Sequence, residues 1–214
     1  MPHPRELLGK YVSYTMDPGG SSSSRGLVNG LLPDQTTKMS VAIYEGAEPK
    51  TAVDTHQVWT FTFLKYCPGC VTFTSLTGGD ILTGPMSGCY LCKYNRLGQK
   101  LAHIGTAHSM TSQESVKAKQ AWVSFVGRPD VTAVTGGNPS DFFDLGEIKA
   151  AMFAGGPIPD IAGYFASGEA FAMLLARVPM NQTPMGVRLT KVAAFKKMTL
   201  QPWSSIAAMR RFQI

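Results

Sequence analysis

THQVWTFTFLKY, residues 55–66, is the stretch on which the fold reading turns. Trp59, Phe61 and Phe63 alternate there with Thr60 and Thr62. That period of two puts aromatic side chains on one face of a strand and hydroxyls on the other. Working outward, Cys67-Pro-Gly-Cys70 reads as a tight turn into a second strand, Val71 to Leu76, and Lys38 to Tyr44 reads as a strand on the other side. Ile81-Leu-Thr83 is a short apolar piece, followed by the glycine-bracketed loop Gly84-Pro-Met-Ser-Gly88. Tyr90–Tyr94 and Lys100–Thr106 then form a hairpin around Asn95-Arg-Leu-Gly98.

One helix is well marked. Thr111 and Glu114 have the spacing of a capping box, and Ala118, Trp122 and Phe125 fall on one face before Arg128-Pro129 stops the run. In the C-terminal half, 140–153 reads as helical and 169–178 and 186–195 as strands. Many strands with one or two covering helices predict an α+β, sandwich-like fold. Residues 1–30, with Asp17-Pro-Gly-Gly-Ser-Ser-Ser-Ser24, read as a flexible N-terminal segment ahead of a single catalytic domain over 31–214.

The 214 residues suit one domain, and a hydrophobic share of 44% against 16% charged is enough to build a substantial core. The net charge is +6, but the basic residues are scattered and no aromatic side chains are interleaved with a basic stripe. Nucleic-acid binding is therefore disfavoured. Neither a secretory leader nor a run long enough to span a membrane is visible. The four cysteines, Cys67, Cys70, Cys89 and Cys92, are expected to be reduced.

Two chemistries compete for those cysteines. Cys67-x-x-Cys70 and Cys89-x-x-Cys92 match the spacing of a four-thiolate zinc site, which would make the chain a structural module binding nucleic acid or protein. However, Cys89-Tyr-Leu-Cys92 lies in a strand-like run, where residues three apart face opposite sides. The other reading pairs Cys89 with His103. Cys89 stands six residues before Asn95 and His103 five after Gly98, so the hairpin brings them together as cross-strand neighbours. A histidine beside a thiol lowers its pKa and readies a nucleophile. Taken singly, each residue has a plainer role: a buried cysteine is usually a small core hydrophobe, and a strand histidine is usually packed. The joint occurrence of loop, thiol, turn and histidine favours catalysis, with Cys89 as nucleophile, His103 as base and the Gly88-Cys89 backbone N–H groups as oxyanion donors. Thr83 is expected to orient His103, through its hydroxyl or its carbonyl, with Asp80 as the second candidate for that role and His108 as a weaker candidate base. Cys67, Cys70 and Cys92 are assigned to packing.

Thr83, Ser87-Gly88-Cys89 and His103-Ile-Gly-Thr106 together resemble the active-site region of the cytotoxic necrotizing factor and Burkholderia lethal factor glutamine deamidases, with the chemoreceptor deamidase CheD as a more distant relative. The match covers Thr83 to Thr106. The resemblance implies a sandwich of mixed β-sheets flanked by helices and a cofactor-free amidohydrolase acting on a glutamine of a host protein. It also implies a bacterial toxin or effector translocated into the host cytosol. A monomer without membrane association is expected.

Overall fold

In β4 (Val53–Lys65), the strand that contains residues 55–65, Trp59 and Phe61 are buried together with Val41 and Ile43 of the antiparallel partner β3 (Thr36–Glu45). The computed structural model describes residues 4–14, 30–33, 35–106, 109, 111–207 and 212. The aromatic face of β4 points into a closed barrel of seven strands. Around it, β3 and β4 are joined by β1 (Tyr11–Val12), β6 (Ile81–Gly84), β10 (Asp160–Ala166), β11 (Glu169–Arg177) and β12 (Thr190–Met198), in the order β1-β12-β11-β10-β6-β4-β3. A second sheet has the order β13-β9-β7-β8-β5-β2. Its strands are β2 (Leu31–Pro33), β5 (Val71–Ser75), β7 (Tyr90–Asn95), β8 (Gln99–Ile104), β9 (Thr132–Gly137) and β13 (Gln201–Pro202). Both sheets are mixed, because β4–β6 and β2–β5 run parallel among otherwise antiparallel pairs.

The α+β class holds, but one sheet of the expected sandwich closes on itself. The closing strand comes from the segment expected to be a flexible appendage. Tyr11 pairs with both Tyr44 and Lys191, bridging two strands that would otherwise be open edges. Leu7, Tyr11, Val12 and Tyr14 are buried. Two residues are too few to display a period, which is why the sequence does not announce this strand. The serine-rich stretch 17–24 lies outside the described residues.

Three apolar layers follow from the period of two. Leu82, Tyr164, Phe171 and Met173 fill the barrel with Val12, Tyr14, Val41, Ile43, Trp59 and Phe61. Leu64, Ile81, Leu91, Leu101, Ile161 and Phe165 form a core between the barrel wall and the second sheet. The far face of that sheet, through Tyr90, Cys92, Tyr94, Ala102 and Ile104, packs on Ala118, Trp122 and Phe125 of helix α1 (Gln113–Val126).

Some local expectations shift. The N-cap of α1 is Ser112, whose hydroxyl accepts from the Ser115 N–H, rather than Thr111. The stretch 140–153 divides into a 3₁₀ turn at Pro139–Phe142 and a short helix α2 (Leu145–Ala151), whose capping box is Asp144 with Glu147. The strand expected over 186–195 starts later, at Thr190, after a 3₁₀ turn at Pro184–Gly186. Among the described residues, no helix is long and apolar enough to cross a membrane.

Candidate active site

Alternation along β6 sends Leu82 into the barrel and Ile81 outward, so Thr83 also points outward, toward the second sheet. From the other side β8 presents Leu101 and His103. His103 is central in its sheet, opposite Thr72 of β5 and Leu91 of β7. The two layers come close because Thr83 pairs with Gly163 on β10. A Cβ there would sit 3.2 Å from Leu91 Cδ2 and 3.5 Å from Thr83 Cγ2. The result is a buried hydrogen bond of 2.6 Å between Thr83 Oγ1 and His103 Nδ1.

The direction of that bond follows from a second one. Thr83 Oγ1 also lies 2.7 Å from the Leu64 carbonyl oxygen, which can only accept. The single hydroxyl proton is committed there, so the hydroxyl accepts from Nδ1–H. The imidazole is thereby fixed as the Nδ1–H tautomer with a bare Nε2. Burial lowers the pKa of His103 to about 3, so the ring is neutral. Nε2 is buried and has no hydrogen-bond partner among the described residues, an uncommon state for a core nitrogen.

The Tyr66 ring lies against the imidazole, with centroids 5.4 Å apart and planes at 33°. Its hydroxyl donates to the Thr106 carbonyl at 2.6 Å. Cys89 points to the same residue: Sγ is 3.7 Å from the Thr106 carbonyl oxygen and 3.6 Å from Thr106 Oγ1. Burial pushes the Cys89 thiol up, and hydrogen bonds with Thr106 and the Gly88 backbone offset this in part. Gly88 is half-buried, between exposed Ser87 and the buried thiol. The loop is held by Met86, whose N–H donates to the Ile161 carbonyl at 2.8 Å.

Two site expectations are corrected. His103 pairs with Leu91, not with Cys89. Cys89, two residues before Leu91, lies on the same face one diagonal step away, a spacing of roughly 7–8 Å in an antiparallel sheet. Nor is the thiol primed as a thiolate by the imidazole. It is hydrogen-bonded to Thr106, and both groups are neutral at rest. Asp80 does not orient His103, because its carboxylate accepts from the Tyr164 hydroxyl. His108 lies outside the described residues. Tyr66 and the Leu64 carbonyl are the members that sequence reasoning missed, and Thr106, quoted in the motif, is given no role there. No local motif marks the first two, and only the packing of barrel on sheet gathers all three.

All four cysteines carry thiols and none is in a disulfide. Cys89 belongs to the core between barrel and sheet and Cys92 to the core under α1, while Cys67 and Cys70 pack with Leu32. The thiols therefore do not converge as a four-thiolate site requires. Among the described residues, no group of three or more His, Cys, Asp or Glu side chains is arranged to hold a metal ion. Comparison with family models, curated proteins and solved structures finds no match.

Proposed function

We propose that the protein is a cysteine-dependent glutamine amidohydrolase that deamidates a glutamine side chain on another protein. The observation that carries the reading is the bare, buried Nε2 of His103, fixed by the Thr83 hydroxyl and without a partner among the described residues, on the sheet face that also bears Cys89. A neutral nitrogen held in that state has an open lone pair to accept a proton, and movement of the thiol or substrate against it is what would raise its low basicity toward the working pH.

In the reaction, rotation about the Cys89 side chain carries Sγ from Thr106 toward Nε2. The thiol proton passes to Nε2 as sulfur attacks the carboxamide carbon, giving a tetrahedral oxyanion. The Gly88-Cys89 backbone N–H groups serve as its donors. The imidazolium still donates through Nδ1–H to Thr83, and it delivers its Nε2 proton to the departing nitrogen, releasing ammonia. Water then attacks the thioester, giving its proton to Nε2. Collapse of the second tetrahedral intermediate breaks the carbon–sulfur bond, and the sulfur recovers the proton. Glutamate and the resting thiol remain. A primary amine in place of water would give transglutamination through the same thioester.

Exposed Ser87 and half-buried Gly88 lead directly into Cys89, so the nucleophile follows immediately on the surface part of the loop. The resemblance to the cytotoxic necrotizing factor and Burkholderia lethal factor deamidases supports the same reading, along with its finer implications of two packed mixed sheets and of an effector acting on a host protein. The test is incubation of the chain with a host-cell extract, followed by peptide mass spectrometry for glutamines gaining about 1 Da. Sites modified by the wild type and by neither Cys89→Ala nor His103→Gln support the proposal. An unchanged glutamine complement across extracts from several hosts argues against it.

A further inference from the structure

The turn between β4 and β5 has a chemistry that deamidation does not use. In Cys67-Pro-Gly-Cys70 the Cys70 N–H donates to the Cys67 carbonyl at 3.1 Å, and Gly69 has φ of +75°. Proline followed by a positive-φ glycine is the signature of a type II turn, whose end Cα atoms lie under about 7 Å apart. Disulfides form at Cα separations of roughly 4.4–6.8 Å. Both sulfurs also approach one oxygen, the Pro68 carbonyl, at 3.9 Å from Cys67 Sγ and 3.6 Å from Cys70 Sγ. Pro68 at the tip is exposed.

From this geometry we infer that Cys67 and Cys70 form a redox-active dithiol, oxidised to an intramolecular disulfide by a low-molecular-weight disulfide. The hydrogen bond between the two side chains, with burial, holds the Cys70 thiol well above the ordinary range, which casts Cys70 as the resolving thiol and Cys67 as the attacking one. The Cys67 thiolate attacks the oxidant's sulfur, forming a mixed disulfide and expelling one thiolate. Cys70, losing its proton to solvent, then attacks the Cys67 sulfur and expels the second. The protein gives up two electrons and two protons, and the small disulfide becomes two thiols.

The turn also touches the candidate active site. Gly105 N–H donates to the Cys70 carbonyl at 2.8 Å, and Gly69 N–H donates to the Gly105 carbonyl at 2.9 Å. A Cβ on Gly105 would lie 2.2 Å from the Cys67 carbonyl oxygen. The dithiol is thus clamped to the residue preceding Thr106, the partner of Cys89.

The test is equilibration of the folded full-length chain in buffers of graded glutathione to glutathione-disulfide ratio, then acid quenching, alkylation of the remaining thiols in denaturant and peptide mapping. The expected result is a two-electron transition that removes about 2 Da and links Cys67 to Cys70, leaving Cys89 and Cys92 alkylatable. Cys67→Ser and Cys70→Ser each abolish the transition, and each leaves a mixed glutathione adduct or a free thiol. Cys89→Ser leaves it unchanged, so the result stands apart from the deamidase reading. Both turn thiols remaining reduced at the most oxidising ratio, or a disulfide that recruits Cys89 or Cys92, would overturn the inference.

Discussion

Thr83 Oγ1 accepts the Nδ1 proton of His103 across the gap between barrel and sheet, at 2.6 Å, because its own proton is given to the Leu64 carbonyl at 2.7 Å. Two short bonds in series therefore decide which nitrogen of a buried imidazole is bare. The chemistry proposed for Cys89 depends on that choice.

Thr83→Val keeps the shape of the side chain and removes the acceptor. It leaves Nδ1–H and the Leu64 carbonyl buried without this partner, at a cost of about 1–3 kcal/mol in stability. It also frees the imidazole to exchange tautomers. Turnover is expected to fall on the order of 100-fold, with kcat rather than KM carrying the loss. Thr83→Ser restores the hydroxyl and is expected to recover kcat to within roughly tenfold of wild type. Steady-state kinetics on an identified substrate peptide makes the comparison.

Folding stability is expected to fall as the solution is acidified. Burial lowers His103 from 6.5 to about 3 in the folded chain, so between these values the unfolded chain binds the extra proton. The stabilisation is fully present above about 6.5 and is lost as pH falls toward about 3, by at most roughly 1.4 kcal/mol per pH unit. Urea unfolding at pH 7, 6, 5 and 4 measures the slope. His103→Gln is expected to flatten it.

Cys89 is expected to be a sluggish thiol at neutral pH, since burial pushes its proton affinity up. Alkylation by iodoacetamide, resolved by peptide, is expected to be at least about tenfold slower at pH 7 than in the unfolded chain and to climb past the ordinary thiol range. A rate that plateaus below pH 7 would mean a standing thiolate–imidazolium pair.

Gly136 on β9 covers the sulfur of Cys92: an added Cβ would lie 2.6 Å from Sγ and 3.0 Å from the Leu91 carbonyl. Gly136→Ala is expected to cost about 1–3 kcal/mol by overpacking. Combined with Cys92→Ala the loss is expected to be less than additive by at least about 0.5 kcal/mol, because the smaller side chain vacates the contested space. Denaturant unfolding of the two single variants and the double variant completes the cycle.

The legible parts of this sequence were those with a repeating period. Trp59, Phe61 and Phe63 announced β4, and Ala118, Trp122 and Phe125 announced the buried face of α1. Barrel closure was not legible, since it depends on Tyr11 and Val12 finding two distant strands at once. Within the candidate site, Thr83 and His103 are joined by a hydrogen bond. The diagonal offset of Cys89 was invisible, because the hairpin register pairs His103 with Leu91 and a count from the turn residues cannot fix register. Tyr66 and Thr106 join through packing between layers, which leaves no spacing to read.

The most direct test of the account is the protonation state of one ring. Nitrogen-15 NMR of the chain labelled in its histidine side chains, assigned against His103→Gln, reports Nδ1 and Nε2 separately. The account predicts a neutral imidazole with a protonated Nδ1 and a bare Nε2, unchanged from pH 8 down to pH 4, with titration only toward about 3. A proton on Nε2 at neutral pH, or a midpoint near the ordinary 6.5, would contradict it.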